Sequence, residues 1–406
     1  MRLTGFIPGR GGSWELLVEN GIISDIRVQS ASSLSPTYTT TPVEVPAGGS
    51  GPAAGETPLW LSAGFFDIQV NGYAGVSFNE DVLTVEGVEK AVRALWLTGT
   101  ALVFPTVTTG SPERLLYTFR TLERACAEAA PEVRHSIAGY HLEGPYISPE
   151  DGPRGAHPRE FVRPPSWDEF QRLQEAAGGR IRLITLAPEV PGAIEFIEKA
   201  AKSGVVVALG HTGAQPEDIA KAVAAGALLS THLGNGSHAL IRRHPNYIWE
   251  QMANDALYAS LVPDGFHLPP PVLKCMIRAK GVEHTILTTD AAGVAGLPPG
   301  IYSAQGRDLE LVAGGPVKLR GTPFLAGSAL RLNDGLTNAM NYAGVNLAEA
   351  VRMVTVNPAR LMNLETKTGS LQRGMEANLT LFRLDGAGRV IIEKTIVKGQ
   401  VVYQAK

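Results

Sequence analysis

Two rhythms of apolar and polar positions divide the chain. Near its start, short runs such as Trp14-Glu15-Leu16-Leu17-Val18 and Gly21-Ile22-Ile23-Ser24-Asp25-Ile26 carry the signals of half-buried strands. The same signal returns at the far end in Asn378-Leu379-Thr380-Leu381-Phe382, Val390-Ile391-Ile392 and Val401-Val402-Tyr403. In between, continuous apolar runs of strand length recur over 65–70, 101–107, 136–142, 181–186, 205–209, 227–230, 258–262 and 285–288. Helical patterns separate most of them, over 85–97, 112–130, 167–177, 193–202 and 216–225. Runs that are apolar throughout suit parallel strands covered on both faces. Eight such units in a row predict an α/β fold, a closed (β/α)8 TIM-type barrel. Further helical segments, 333–341 and 347–361, complete it.

The two β-rich ends then predict one small β-sandwich domain assembled from both termini, residues 1–60 and 366–406, around a barrel of 61–365. Residues 30–58 are rich in Ser, Thr, Pro, Gly and Ala and read as a flexible excursion within the small domain.

Composition narrows the function. A chain of 406 residues, 44% apolar and 18% charged, has enough apolar side chains for a large core and is not a disordered polymer. Its net charge is −3 and no basic run occurs, which argues against nucleic acid or an anionic membrane surface as partner. No apolar h-region opens the chain, and no apolar run reaches membrane-spanning length. Cys126 and Cys275 have no metal-ligand spacing and read as reduced, mostly buried thiols of a cytoplasmic protein.

Barrel enzymes carry their chemistry at the C-terminal ends of the strands. At those positions the sequence offers Gln69 and Asn71, Glu143, His211, His232, Asp264 with His267, and Asp290. Each alone has a bland explanation: a loop histidine held by hydrogen bonds, a solvated loop glutamate, an aspartate closing a turn. Together they converge only if the barrel closes. One carboxylate and two imidazoles with an open position form a catalytic divalent-metal site, so Glu143 is expected to meet a metal ion there. Zinc heads the candidates, with iron, cobalt and manganese also compatible with this donor set.

The ordered motifs G-F-F-D-I-Q-V-N-G (64–72), H-L-E-G-P-Y-I-S (141–148), G-A-H-P (155–158), G-H-T-G-A (210–214), T-H-L-G-N-G (231–236), D-G-F-H (264–267), T-T-D-A-A (288–292) and L-A-G-S-A-L (325–330) span nearly the whole chain. In that order they resemble the amidohydrolase superfamily and, within it, the N-acetylglucosamine-6-phosphate deacetylase family. The resemblance implies hydrolysis of the acetamido group of an amino-sugar phosphate at a single metal ion. It makes Glu143, His211 and His232 the ligands of that ion and Asp290 the catalytic carboxylate, and it puts His157 near the acetyl group. His267, the Asn235-Gly236 backbone and Arg243 would contact the sugar phosphate, with Gln69 and Asn71 counted among the substrate-binding residues. It further implies a homodimer with Arg243 and His267 near the subunit interface.

Gln69 and Asn71 stand where two-metal relatives carry H-x-H, and neutral amides bind metals poorly; this matches a one-metal subgroup. The segment 234–246 departs from the pattern, with His238, Arg242 and His244 as extra polar groups. A different N-acyl amino sugar, a cyclic amide, an N-acyl amino acid, or a catalytically silent barrel used as a binding module therefore stay open as alternatives.

Overall fold

The eight barrel strands are Phe65–Val70, Thr100–Thr108, Tyr140–Glu143, Ile181–Leu186, Val206–Leu209, Ala227–Ser230, Tyr258–Leu261 and Thr285–Leu287, hydrogen-bonded side by side in chain order. A parallel bridge between Val70 and Ala291, with Asn71 N–H donating to the Ala291 carbonyl at 2.9 Å, joins the first to the last and closes the ring. The computed structural model describes residues 1–30, 57–304, 306–322 and 324–406. Most of the excursion expected over 30–58 lies outside the described residues.

Helices cover the ring because their apolar positions recur every three or four residues. In Val85–Leu95, for example, Val85, Val88, Ala91, Val92 and Leu95 are buried. Their starts are set by hydroxyl caps. Thr84, Ser111 and Ser166 accept from the backbone N–H groups of Gly87, Arg114 and Glu169, satisfying donors that a helix cannot pair internally.

The barrel interior is layered. Phe66, Ile68, Leu102, Phe104, Leu183, Val206, Ala208, Leu229 and Ile286 fill its lower part. One pleat higher, the side chains turn polar. His141 Nε2 lies 2.7 Å from Thr185 Oγ1, which lies 2.7 Å from Thr231 Oγ1. Successive inward positions on a strand are two residues apart. His141 is therefore directly beneath Glu143, and the hydrogen-bonded layer is the floor of the mouth.

The small domain is a seven-stranded sheet in the order Gln400–Gln404, Val390–Val397, Leu379–Leu384, Trp60–Ala63, Arg2–Phe6, Ser13–Glu19, Ile22–Ser30. Trp60–Ala63 joins its halves, antiparallel to Leu379–Leu384 and bridged in parallel to Phe6. The sheet folds over until both distant turns bond to Ala377: Gly399 N–H donates to its carbonyl and its N–H donates to Gly21 O. Leu16, Ile23, Leu61, Leu379, Leu381 and Ile396 fill the enclosed space as a sandwich core. The domain joins the barrel at Gly99, whose carbonyl accepts from Thr380 Oγ1 at 2.7 Å. With φ at +81° and an added Cβ only 2.8 Å from Thr380 and Ile392 side-chain carbons, that position admits no side chain.

The structure differs from expectation at four points. The run 136–142 is not one strand: Pro131–Ser136 is a helix and the strand starts at Tyr140, because Pro131 supplies a ready first helical turn. The segment 347–361 breaks into Leu347–Met353 and Val356–Leu361, which keeps Pro358 within a first turn, where its missing N–H costs nothing. After the eighth strand comes an unforeseen three-stranded sheet, Gly300–Ala304, Arg307–Leu311 and Val317–Leu319, whose alternating polarity was the available signal. Of the two thiols, Cys126 is buried but Cys275 is exposed.

Candidate active site

Glu143 ends the third barrel strand, and His211 and His232 follow the fifth and sixth. All three are buried. His211 Nε2 and His232 Nε2 each lie 3.0 Å from Glu143 Oε1 and 3.1 Å from one another. Donors bound to one ion at about 2.0–2.2 Å stand roughly 3 Å apart, so this triangle has the dimensions of one coordination sphere.

The chemistry of the donors agrees. His211 Nδ1 lies 2.9 Å from the Pro153 carbonyl, which only accepts, so the neutral ring keeps its hydrogen on Nδ1. Its Nε2 lone pair then points at a carboxylate oxygen and a second imidazole nitrogen. A divalent ion satisfies all three donors at once. Burial pushes the Glu143 carboxyl up, but hydrogen bonds and charge from His211 and His232 hold it well below the usual range. Burial likewise lowers His232, and Glu143 more than reverses this, raising it.

His157 supplies a further nitrogen nearby. One donor atom each from Glu143, His157 and His211 lie within 4.8 Å of one another. The Glu143–His211–His232 triangle is tighter, and His157 Nδ1 is engaged with Thr109 Oγ1 at 2.7 Å, so His157 fits better at the rim. Burial pushes its pKa down to about 3, which keeps the ring neutral at neutral pH.

Asp290 completes the cluster after the eighth strand. Its Oδ1 accepts from Asn71 Nδ2 at 2.6 Å and from Gln69 Nε2 at 3.1 Å, and the same Gln69 nitrogen donates to Glu143 Oε1 at 3.0 Å. The pairing between the first two strands slips between Asp67 and Val70, a bulge that aims Gln69 into the mouth. Burial, then the Glu143 charge, raise the Asp290 carboxyl.

His211, His232 and Asp290 all have positive φ, at 52°, 30° and 50°. Such conformations cost about 1–3 kcal/mol each in non-glycine residues and persist where neighbours hold them, often at functional sites. Gly236 helps: a Cβ there would stand 2.7 Å from His211 Nδ1, so only glycine lets this loop lie against the ring. Asn235 Nδ2 donates to the His232 carbonyl at 3.3 Å.

Other expected residues separate into two groups. His267 has its Nδ1 2.6 Å from Asp264 Oδ2 and lies within electrostatic reach of Asp290. Arg243 does not join the cluster within one chain; it is exposed, and its guanidinium has no partner among the described residues. His238 binds Tyr247 and Glu150, each at 3.0 Å, while Arg242 and His244 are exposed.

Two carboxylates beside the site, one half-buried and one fully buried, went unassigned in the sequence. Glu189 accepts from Thr212 Oγ1 at 2.5 Å and Gly213 N–H at 2.7 Å, bracing the turn after His211. Asp67 braces the turn before Asp290. Its signal was a lone charge inside an apolar strand.

The chain matches the amidohydrolase family model over residues 60–402. It is 34% identical over 347 residues to an N-acetylgalactosamine-6-phosphate deacetylase of Shewanella sp., covering 85% of this chain and 84% of the relative. It is 31% identical over 284 residues to an N-acetylglucosamine-6-phosphate deacetylase of Bacillus subtilis, covering 70% of each. An N-acetyl-D-glucosamine-6-phosphate deacetylase mutant of Mycobacterium smegmatis, solved with N-acetyl-D-glucosamine-6-phosphate, superposes with a TM-score of 0.84 at 26% identity, over 100% of this chain and 99% of that one. With a closed barrel, a carboxylate–imidazole cluster at its C-terminal mouth and a family match across most of its length, the chain belongs to the amidohydrolase family.

Proposed function

We propose that this protein is a metal-dependent deacetylase that hydrolyses N-acetylglucosamine 6-phosphate to glucosamine 6-phosphate and acetate. The observation that carries the reading is the convergence of Glu143, His211 and His232 on one point, with Asp290 tied to it through Gln69. The first three would hold one divalent ion, zinc before iron, cobalt or manganese. When bound, such an ion lowers the pKa of a water toward about 7 and polarises the acetyl carbonyl.

Asp290 takes the proton of the attacking water and passes it to the departing amine nitrogen. Asn71 and Gln69 aim its Oδ1. His157, neutral and with Nδ1 facing the Thr109 hydroxyl, presents Nε2–H to the carbonyl oxygen, where negative charge grows. His267, steadied by Asp264, and the Asn235–Gly236 backbone would receive the sugar phosphate. Arg243 would serve the site of a second copy. In support, Leu240, Ile241, Trp249 and Phe266, close to Arg243 or His267 along the chain, are large apolar side chains left exposed, Leu240 at 93%. No described helix is long and apolar enough to cross a membrane, and the site suits a small cytoplasmic sugar phosphate.

A second reading takes the C4 epimer, N-acetylgalactosamine 6-phosphate, as substrate; relatives of both kinds match the chain at similar identity. Acetate release from the two phosphorylated sugars and from unphosphorylated N-acetylglucosamine decides between them. Turnover of the unphosphorylated sugar as fast as its phosphate would defeat the sugar-phosphate assignment.

A further inference from the structure

Asp67 has no part in the proposed chemistry, yet it is a fully buried carboxylate with no ion pair among the described residues. Its Oδ1 accepts from Thr288 Oγ1 at 2.6 Å, Thr289 N–H at 3.2 Å and Gln69 N–H at 3.3 Å; its Oδ2 accepts from Thr289 Oγ1 at 2.6 Å. Burying a charge without a cation is costly and usually destabilises a fold. Burial raises this carboxyl to about 6, against the pull of the four hydrogen bonds. A core position that needed only shape would be better served by an apolar residue.

Its partners explain why it is there. Thr288 and Thr289 immediately precede Asp290, whose φ of +50° lies in the left-handed region. Gln69 holds Asp290 twice, by its carbonyl, which accepts from Asp290 N–H at 3.0 Å, and by its carboxamide. Asp67 thus grips the backbone on both sides of the Asp290 contact. Ser328 completes the turn: its N–H donates to the Asp290 carbonyl at 2.9 Å and its hydroxyl to the Thr289 carbonyl at 2.5 Å. The backbone N–H groups of Thr289 and Gln69 can only donate, and both meet Oδ1, while each carboxylate oxygen also receives a threonine hydroxyl. A carboxamide with its oxygen on those N–H groups would turn its N–H₂ toward the Thr289 hydroxyl, which would have to reverse its own bond to accept it.

We propose that Asp67 is a positioning residue for Asp290, holding the T-T-D turn and the Gln69 backbone in the one arrangement that points the Asp290 carboxylate into the metal cluster. This rests on Asp290 being the acid–base group of the deacetylase. A displacement of about 1 Å costs on the order of 100-fold in rate. Asp67→Asn is therefore expected to lower kcat about 10–100-fold, with KM within about twofold and full metal content.

Thr289→Val removes a donor to the same carboxylate and should act in the same direction, while Thr289→Ser, which keeps the hydroxyl, restores activity. The double variant Asp67→Asn/Thr289→Val should be no worse than the poorer single, as expected for two residues in one unit. Wild-type kcat in Asp67→Asn, a loss that merely tracks lost metal, or additive losses in the double variant would each overturn the inference. Should Asp67→Asn fail to fold, full activity in Thr289→Val has the same force.

A crystal structure of Asp67→Asn supplies a readout that needs no substrate. Asp290 should leave the left-handed region or lose its bond to Asn71. An unmoved Asp290 with both amide bonds intact defeats the inference, whereas a wild-type protein that releases no acetate defeats only the deacetylase reading.

Discussion

Two imidazole nitrogens, His211 Nε2 and His232 Nε2, stand 3.1 Å apart, and both face one oxygen of Glu143. Neutral imidazoles so placed aim lone pairs at a carboxylate oxygen, and one divalent ion bound among the three would satisfy them together. His211→Ala should therefore reduce the metal content of the purified protein severalfold, since one of three donors is gone. Elemental analysis checks it: metal content equal to wild type would remove His211 from the ligand set.

Asp290 plays a different part. Asp290→Asn preserves shape and the approach to Gln69 but cannot accept a proton. Metal content should stay near one ion per chain while kcat falls by about 10²–10⁴-fold, the usual scale of general acid–base help. Wild-type turnover in this variant would end its assignment as the base.

Asn71 tunes that carboxylate. Its 2.6 Å hydrogen bond favours the ionised form and opposes the raising effects of burial and of Glu143. Removing it in Asn71→Ala should raise the Asp290 pKa further, moving the acidic limb of the kcat/KM profile to higher pH. A limb that stays in place, or moves to lower pH, contradicts this.

The buried Asp67 makes a prediction about stability. Its folded pKa of about 6 lies above the ordinary 3.8. Above pH 6 the folded protein carries the full burden of the buried charge. As pH falls from 6 toward 3.8 it takes up a proton that the unfolded chain does not, and the burden is relieved. Across that window the stability difference should shift by up to about 3 kcal/mol in favour of Asp67→Asn as pH rises. Thermal melts of both proteins between pH 4.5 and 7.5 measure it. A difference independent of pH would mean that Asp67 titrates as an ordinary aspartate.

Much of the architecture was readable before any coordinates. The eight runs were legible because strands buried on both faces must be apolar throughout, and that leaves continuous patterns such as 181–186 and 227–230. The helices announced themselves through the spacing of their apolar positions. The break near Val354–Thr355 was harder, because both halves of 347–361 present helical spacing and only Pro358 marks the division. The sheet of 300–319 went unseen because short polar hairpins carry little apolar pattern.

For the site, the residue types were legible and their distances were not. Glu143, His211, His232 and Asp290 stand out as polar groups where apolar strands end, a property of local order along the chain. Asp67 was disguised by lying within a strand, where a charge reads as an irregularity until Thr288 and Thr289 are found opposite it. That pairing spans 221 and 222 positions and exists only because the first and eighth strands meet. Arg243 shows the reverse: its motif is plain in the sequence, but in a single chain it stays in solvent.

The sequence by itself determined most strands and helices of the barrel and which polar groups sit at strand ends, because burial and periodicity are local properties of the chain. Tertiary structure alone decided that one glutamate oxygen meets two imidazoles, that Gln69 links Glu143 to Asp290, and that a buried aspartate bonds to the two threonines before Asp290. Such contacts depend on ring closure, register and a single bulge, each of which brings together residues that no local pattern connects.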